Sequence, residues 1–258
     1  MLGHARALFF VDHDHLSPSN DTIPLNVLYF LTGFGHQAVM VFFVLSGFLI
    51  ASSVLRNLER STWSWRDYAI DRAVRLYLVL VPGLLIGGVL DIVGLHYFNQ
   101  QGIYSTPLLP FGGTAFAQRL TISSFFGSLL FLQTRFTTVF GSNDPLWSLF
   151  NEFWYYVLFP ALIWLMLCIN RRSKKAMIYL CVAIFAAWIL GTALAGFVVW
   201  LSGAIVALTA RNLPFPKSHG WVIGLYLIST AMIATVCLSA SRIDRAGGSV
   251  QIWLLVWQ

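Results

Sequence analysis

Hydrophobic residues in this chain neither alternate nor recur once per helical turn; they run on in long blocks, and short polar stretches rich in Arg separate the blocks. A helix needs about 20 apolar residues to cross a bilayer's hydrocarbon, so blocks of that length are read as spans. Residues 34–55 form the first clear span, and 76–97, 146–169 and 221–240 form others. Residues 176–210 are long enough for two tight spans broken near Gly191, and 249–258 begin a further return. The run 122–132 stops at Gln133 and Arg135, too short to span, and is predicted to lie in the interface or re-enter.

Charge sets direction, because Lys and Arg collect on the cytoplasmic side. Arg56, Arg60, Arg66, Arg72 and Arg75 follow the first span, RRSKK fills 171–175, and Arg211, Lys217 and His219 follow the 176–210 block. These three stretches are predicted to be inside, with 99–145 outside. The stretch DHDHLSPSNDTIP carries no Lys or Arg and suits an outer loop, which leaves residues 1–33 with only ALFFV as an apolar run. The chain therefore reads as one domain over 1–258, all-α, a polytopic transmembrane helix bundle of about seven spans truncated at both ends. No signal peptide is recognisable at MLGHARALFF.

Composition agrees. Of 258 residues 58% are hydrophobic and 10% charged, against about 25% charged in soluble domains, and the mean hydropathy is +0.74. Ten Trp and nine Tyr fit interfacial belts. The net charge of +6 belongs to inner loops, and no basic stripe with exposed aromatics calls for nucleic acid. Cys168, Cys181 and Cys237 sit in apolar runs without ligand spacing and read as small hydrophobes, with no metal site.

Three stretches carry a resemblance: GHQAVMVFFVLSGFLI at 35–50, DRAVRLY at 71–77 and WSLFNEFWYYVLFP at 147–160, joined by GHAR at 3–6. In this order and spacing they resemble the acyltransferase-3 family of integral membrane O-acyltransferases. The resemblance implies a bundle of about ten helices that moves an acyl group, usually acetyl, from cytoplasmic acyl-CoA to a hydroxyl, usually of a cell-envelope or exported carbohydrate. Acyl-CoA, the carbohydrate acceptor and the bilayer are then the partners, with no cofactor beyond the donor, and a bacterial inner membrane is the implied setting. A transporter-like protein without catalysis is the alternative, although no inverted repeat is visible.

The family's catalytic His falls on His4, whose imidazole can take a proton from an attacking hydroxyl near neutral pH. His13, His15 and His36 also lie near the outer face by this reading; the Asp12 and Asp14 around HDH allow a plain acidic loop, and His36 a plain interfacial role. Arg72 and Arg75 stand three apart on one helix face. Guanidinium forks suit phosphates, and the resemblance assigns the pair to acyl-CoA; positive-inside anchoring is the plainer account. Family members often have Pro just after this pair, where Leu78 stands here and Pro82 follows, which leaves the local helix geometry open. Glu152 is the one acid in the run 145–170, and a carboxylate inside a membrane is by default a functional candidate. Ser148 and Tyr156 share its face at four-residue spacing, so either hydroxyl can bond it. The resemblance gives Glu152 a site role, either orienting His4 or binding acceptor hydroxyls, with bundle glue as the alternative; the paired acid often seen next to it is Phe153 here. Ser46 and Gly47 interrupt VFFVLSGFLI. They serve either close helix packing through a Gly47-x-x-x-Ala51 face or a gap through which a pantetheine arm threads.

Overall fold

The computed structural model describes residues 22–32, 35–99, 102, 104–105 and 114–212. These form helices α1 (Ile23–Thr32), α2 (Gly35–Glu59), α3 (Trp65–Tyr97), α4 (Phe116–Arg119), α5 (Ile122–Leu129), α6 (Leu146–Asn170), α7 (Ala176–Leu190) and α8 (Leu194–Asn212), with a 3-10 turn at Gly191–Ala193 between the last two. No strand occurs among the described residues, and four helical stretches are long and apolar enough to cross a membrane: Ala38–Glu59, Trp65–Tyr97, Leu146–Asn170 and Ala176–Thr209. The chain is thus all-α and polytopic. It packs as two units, one within residues 1–51 and 199–257 and the other at 52–198.

The span boundaries differ from the sequence reading in two places. The basic stretch before residue 76 is not a loop: α3 starts at Trp65, where Ser64 caps it by accepting from the Asp67 amide at 3.3 Å. At 33 residues this helix is about 50 Å long, and Arg72 and Arg75 lie two turns inside it. It runs unbroken through Leu78 and Pro82; a proline is tolerated in such a helix where neighbours satisfy the freed carbonyl. Residues 176–209 qualify as one stretch, where two spans were expected, yet the break falls at the expected glycine. Gly191 has φ +53°, a left-handed conformation that glycine adopts without strain. The runs 221–240 and 249–258 lie outside the described residues.

In the unit 52–198, α6 and α7 form an antiparallel hairpin, with Trp164 stacked on Tyr179 (6.0 Å) and Trp154 edge-on to Phe185 (6.0 Å). Extended straight, α7 would carry residues 193–197 past the start of α6. Instead Tyr155 donates to the Ala193 carbonyl (2.7 Å) and packs on Phe197 (5.2 Å), so the chain changes direction at Gly191.

The short run 122–132 folds back against α3 and α6. Thr121 caps α5 by accepting from the Ser124 amide at 3.1 Å, and the eight-residue helix, about 12 Å long, ends where Tyr77 donates to the Leu129 carbonyl (2.9 Å). Tyr77 is near the middle of α3. The tip turns through left-handed Phe131 and Thr134, and two of its polar groups bond to α6. Trp154 Nε1 donates to the Phe131 carbonyl (2.9 Å), Gln133 Nε2 donates to the Leu146 carbonyl (3.0 Å), and Phe131 stacks on Phe153 at 4.5 Å. Within a membrane, irregular backbone is tolerated where surrounding protein satisfies it, as these bonds do for the Phe131 carbonyl.

Candidate functional site

Glu152 stands in the second turn of α6 and is buried, 5% exposed. Tyr156, one turn on and also buried, donates its phenol hydroxyl to Glu152 Oε1. Ser148 does not join them. Its hydroxyl donates to the Pro145 carbonyl at 2.9 Å, because a short side chain in a first turn reaches its own backbone more readily than a group four residues away.

The two arginines part company. Arg75 is exposed, whereas Arg72 is half-buried, its guanidinium 5.5 Å from the centre of the Tyr68 ring one turn earlier. Arg72 Nε is buried and makes no hydrogen bond. Tyr68 in turn donates to the Tyr156 carbonyl at 2.9 Å. Arg72, Tyr68, Tyr156 and Glu152 therefore form one connected line across α3 and α6. The pairings Trp63 with Trp164 (6.2 Å) and Tyr77 with Phe153 through Phe131 fix the antiparallel register of the two helices. Across the direct Tyr68–Tyr156 bond, Arg72 and Glu152 each lie one turn farther from the basic end, so the two stand at about the same depth on facing helices.

A second polar group was missed by the sequence reading. Asp91, 2% exposed, accepts from both the amide and the hydroxyl of Ser142, each at 2.7 Å. Next to Ser142, Asn143 Nδ2 donates to the Gly83 carbonyl (3.5 Å), and Asp144 pairs with buried Arg119 at 2.7 Å, which also donates to Thr114 Oγ1 at 2.8 Å. Gly141, at φ +60°, leaves room for the Asp91 carboxylate, into which a Cβ would run. Together these bonds pin the segment that returns from the folded-back tip to the start of α6, six residues before Glu152. Burial pushes the Asp144 carboxyl above its ordinary range; Arg119 opposes the shift and Asp91 adds to it. Burial likewise raises the Tyr104 phenol, with Asp91 contributing. Asp91 was legible, since it is a lone acid in the run 76–97 as Glu152 is in its own. The Arg119–Asp144 pair joins residues 25 positions apart, and nothing in the pattern links them.

In the other unit, the room left by Gly47 is occupied. A Cβ there would run into the Trp200 carbonyl of α8, and one at Gly203 would run into the Val44 carbonyl of α2. Trp200 Nε1 donates to Ser46 Oγ at 3.3 Å. The two glycines thus let the backbones of α2 and α8 touch, as small residues do between membrane helices. His4, His13 and His15 lie outside the described residues, and His36 is the second residue of α2. Cys168 is a buried free thiol and Cys181 an exposed one.

Comparison with known proteins bears on the whole chain. The family model described as an acyltransferase domain matches residues 1–258. Acyltransferase MdmB of Streptomyces mycarofaciens is 32% identical over 162 residues, which cover 61% of this chain and 35% of that protein, so the match spans about a third of the relative's length. No solved structure matches. With a family model covering it from end to end, the chain belongs to the acyltransferase-3 family.

Proposed function

We propose that the chain acts as a membrane O-acyltransferase, multi-pass in a bacterial cytoplasmic membrane, moving an acyl group from acyl-CoA at the basic, inner end to a hydroxyl of a cell-envelope or exported carbohydrate at the other. Acetyl is the family's usual group. The observation that carries this reading is the line from Arg72 through Tyr68 and Tyr156 to Glu152. The half-buried Arg72 guanidinium suits a CoA phosphate, and the buried carboxylate on the facing helix suits the chemistry.

In the direct route, His4 takes the proton of the acceptor hydroxyl as the oxygen attacks the thioester carbonyl. Glu152 orients that imidazole or binds the acceptor's hydroxyls. The tetrahedral intermediate then expels CoA thiolate, which takes the proton from the imidazolium; the products are an ester and free CoA. Arg72 and Arg75 hold the donor, with Arg72 nearer the helix interface.

The test is ester-linked acetate released by mild alkali from envelope glycans of cells expressing the protein, beside the His4→Ala form at equal membrane abundance. Acetate that rises with the protein and returns to background in the variant is the expected result. Labelled acyl trapped on His4 without acceptor would replace the direct route with a two-step one. The folded-back hairpin and the break at Gly191 are features that transporters use to line a path; solute uptake without new ester would favour that second reading.

A further inference from the structure

We infer that the basic end of the α6–α7 hairpin carries a binding site for one anionic glycerophospholipid, its phosphate at Lys175 and a hydrocarbon chain in the groove between α3 and α7. The groove has a volume of about 380 Å³ and is lined by Trp65, Lys175, Ile178, Tyr179 and Val182, with almost wholly apolar walls. Its two aromatic walls are tied together, Trp65 Nε1 donating to the Tyr179 hydroxyl at 3.3 Å. Tyr179 is stacked between Trp65 (5.9 Å) and Trp164 (6.0 Å), so the wall is rigid and offers hydrocarbon a ring face.

The mouth is cationic. Arg171, Arg172, Lys174 and Lys175 are all exposed, and among the described residues the one ion pair is Arg119–Asp144, so none of the four is neutralised. The exposed Asp67, two residues after Trp65, is the acid nearest the groove in sequence and pairs with none of them. The turn that carries Lys175 is fixed, since the Ser173 amide donates to the Cys168 carbonyl (2.8 Å) and the Lys175 amide to Ser173 Oγ (3.3 Å). A cation on a fixed turn at the rim of an apolar groove matches an anionic head on an apolar tail. Basic pockets between membrane helices at the inner leaflet take anionic lipids on the same physical grounds. The nucleotide end of CoA is a poorer fit, because almost wholly apolar walls offer a polar base few hydrogen-bond partners.

The experiment is native mass spectrometry of the purified protein in mild detergent, titrated with phosphatidylglycerol and with phosphatidylcholine of the same chains. One phosphatidylglycerol should be retained, with phosphatidylcholine held at least about tenfold more weakly. Lys175→Ala should weaken phosphatidylglycerol by about fivefold, the order expected for one cation near a phosphate. Lys174→Ala, equal in loop charge but off the groove, should change it by less than about twofold. Ile178→Trp, filling the groove from an exposed position, should release both lipids with helicity unchanged by circular dichroism. Equal losses in Lys174→Ala and Lys175→Ala would mean diffuse loop charge and overturn the site. Equal affinity for the two lipids, or displacement of the lipid by free CoA, would overturn it as well.

Discussion

Replacing Asp91 tests whether the segment leading into α6 is held as described. The carboxylate accepts two bonds from Ser142 at 2.7 Å, and hydrogen bonds to a charged group contribute about 1.5–3 kcal/mol each. Asp91→Asn keeps the shape, with its oxygen accepting from the Ser142 amide and its NH₂ donating to Ser142 Oγ, so both bonds survive but lose their charge assistance. Removing a buried charge recovers part of its desolvation cost, which leaves a net loss of about 1–2 kcal/mol. Ser142→Ala removes the hydroxyl bond and leaves the amide bond, for about 1–2 kcal/mol. Because both substitutions act on one contact, their effects should not add; the double variant should show a coupling of about 1 kcal/mol or more. The assay is reversible unfolding in mixed micelles with rising dodecyl sulfate, followed by Trp fluorescence. A loss under about 0.5 kcal/mol for Asp91→Asn with no coupling would refute the argument that this lock holds the folded-back hairpin to α3.

Gly47→Leu should destabilise the protein by about 3 kcal/mol or more, above the usual range for overpacking, because the obstacle is the Trp200 backbone; the temperature at which half the protein survives heating in detergent reads this. Tyr156→Phe keeps the buried ring and removes the donor to Glu152, so transfer should fall by roughly tenfold, the rate equivalent of about 1.5 kcal/mol, with a loss of about 1–2 kcal/mol in stability. For Asp144 the carboxyl is raised in the fold from its ordinary 3.8, so the folded state binds the proton more tightly than the unfolded one. Stability from this group is present below about pH 4 and is lost as pH rises through the raised value; the melting temperature of wild type should therefore fall relative to Asp144→Asn across that window.

Much of the fold was legible because membrane spans are written as length and apolarity. The first span, the α6 span, the non-spanning run 122–132 and the break at Gly191 all follow from those two quantities. The start of α3 was misplaced because Arg and Asp in 66–75 read as a loop, while the cap at Ser64 and the aromatic packing of Trp63, Trp65 and Tyr68 support a helix there. At the site, the four-residue spacing of Glu152 and Tyr156 survives in the structure, since helical periodicity alone brings them together. Tyr68 and Trp200 were invisible as partners, because their bonds to Tyr156 and Ser46 cross 88 and 154 positions. Long-range pairings of that kind depend on helix register, which single-chain hydropathy does not encode.

The division of labour along the Arg72–Glu152 line is the central claim, and steady-state transfer from labelled acetyl-CoA in membranes tests it most directly. Arg72→Ala should raise KM for acetyl-CoA by about tenfold or more with kcat nearly unchanged, as loss of a donor-phosphate contact requires. Glu152→Gln should lower kcat by roughly 10²–10⁴ with KM nearly unchanged. The reverse pattern, or full activity in either variant, would contradict the account.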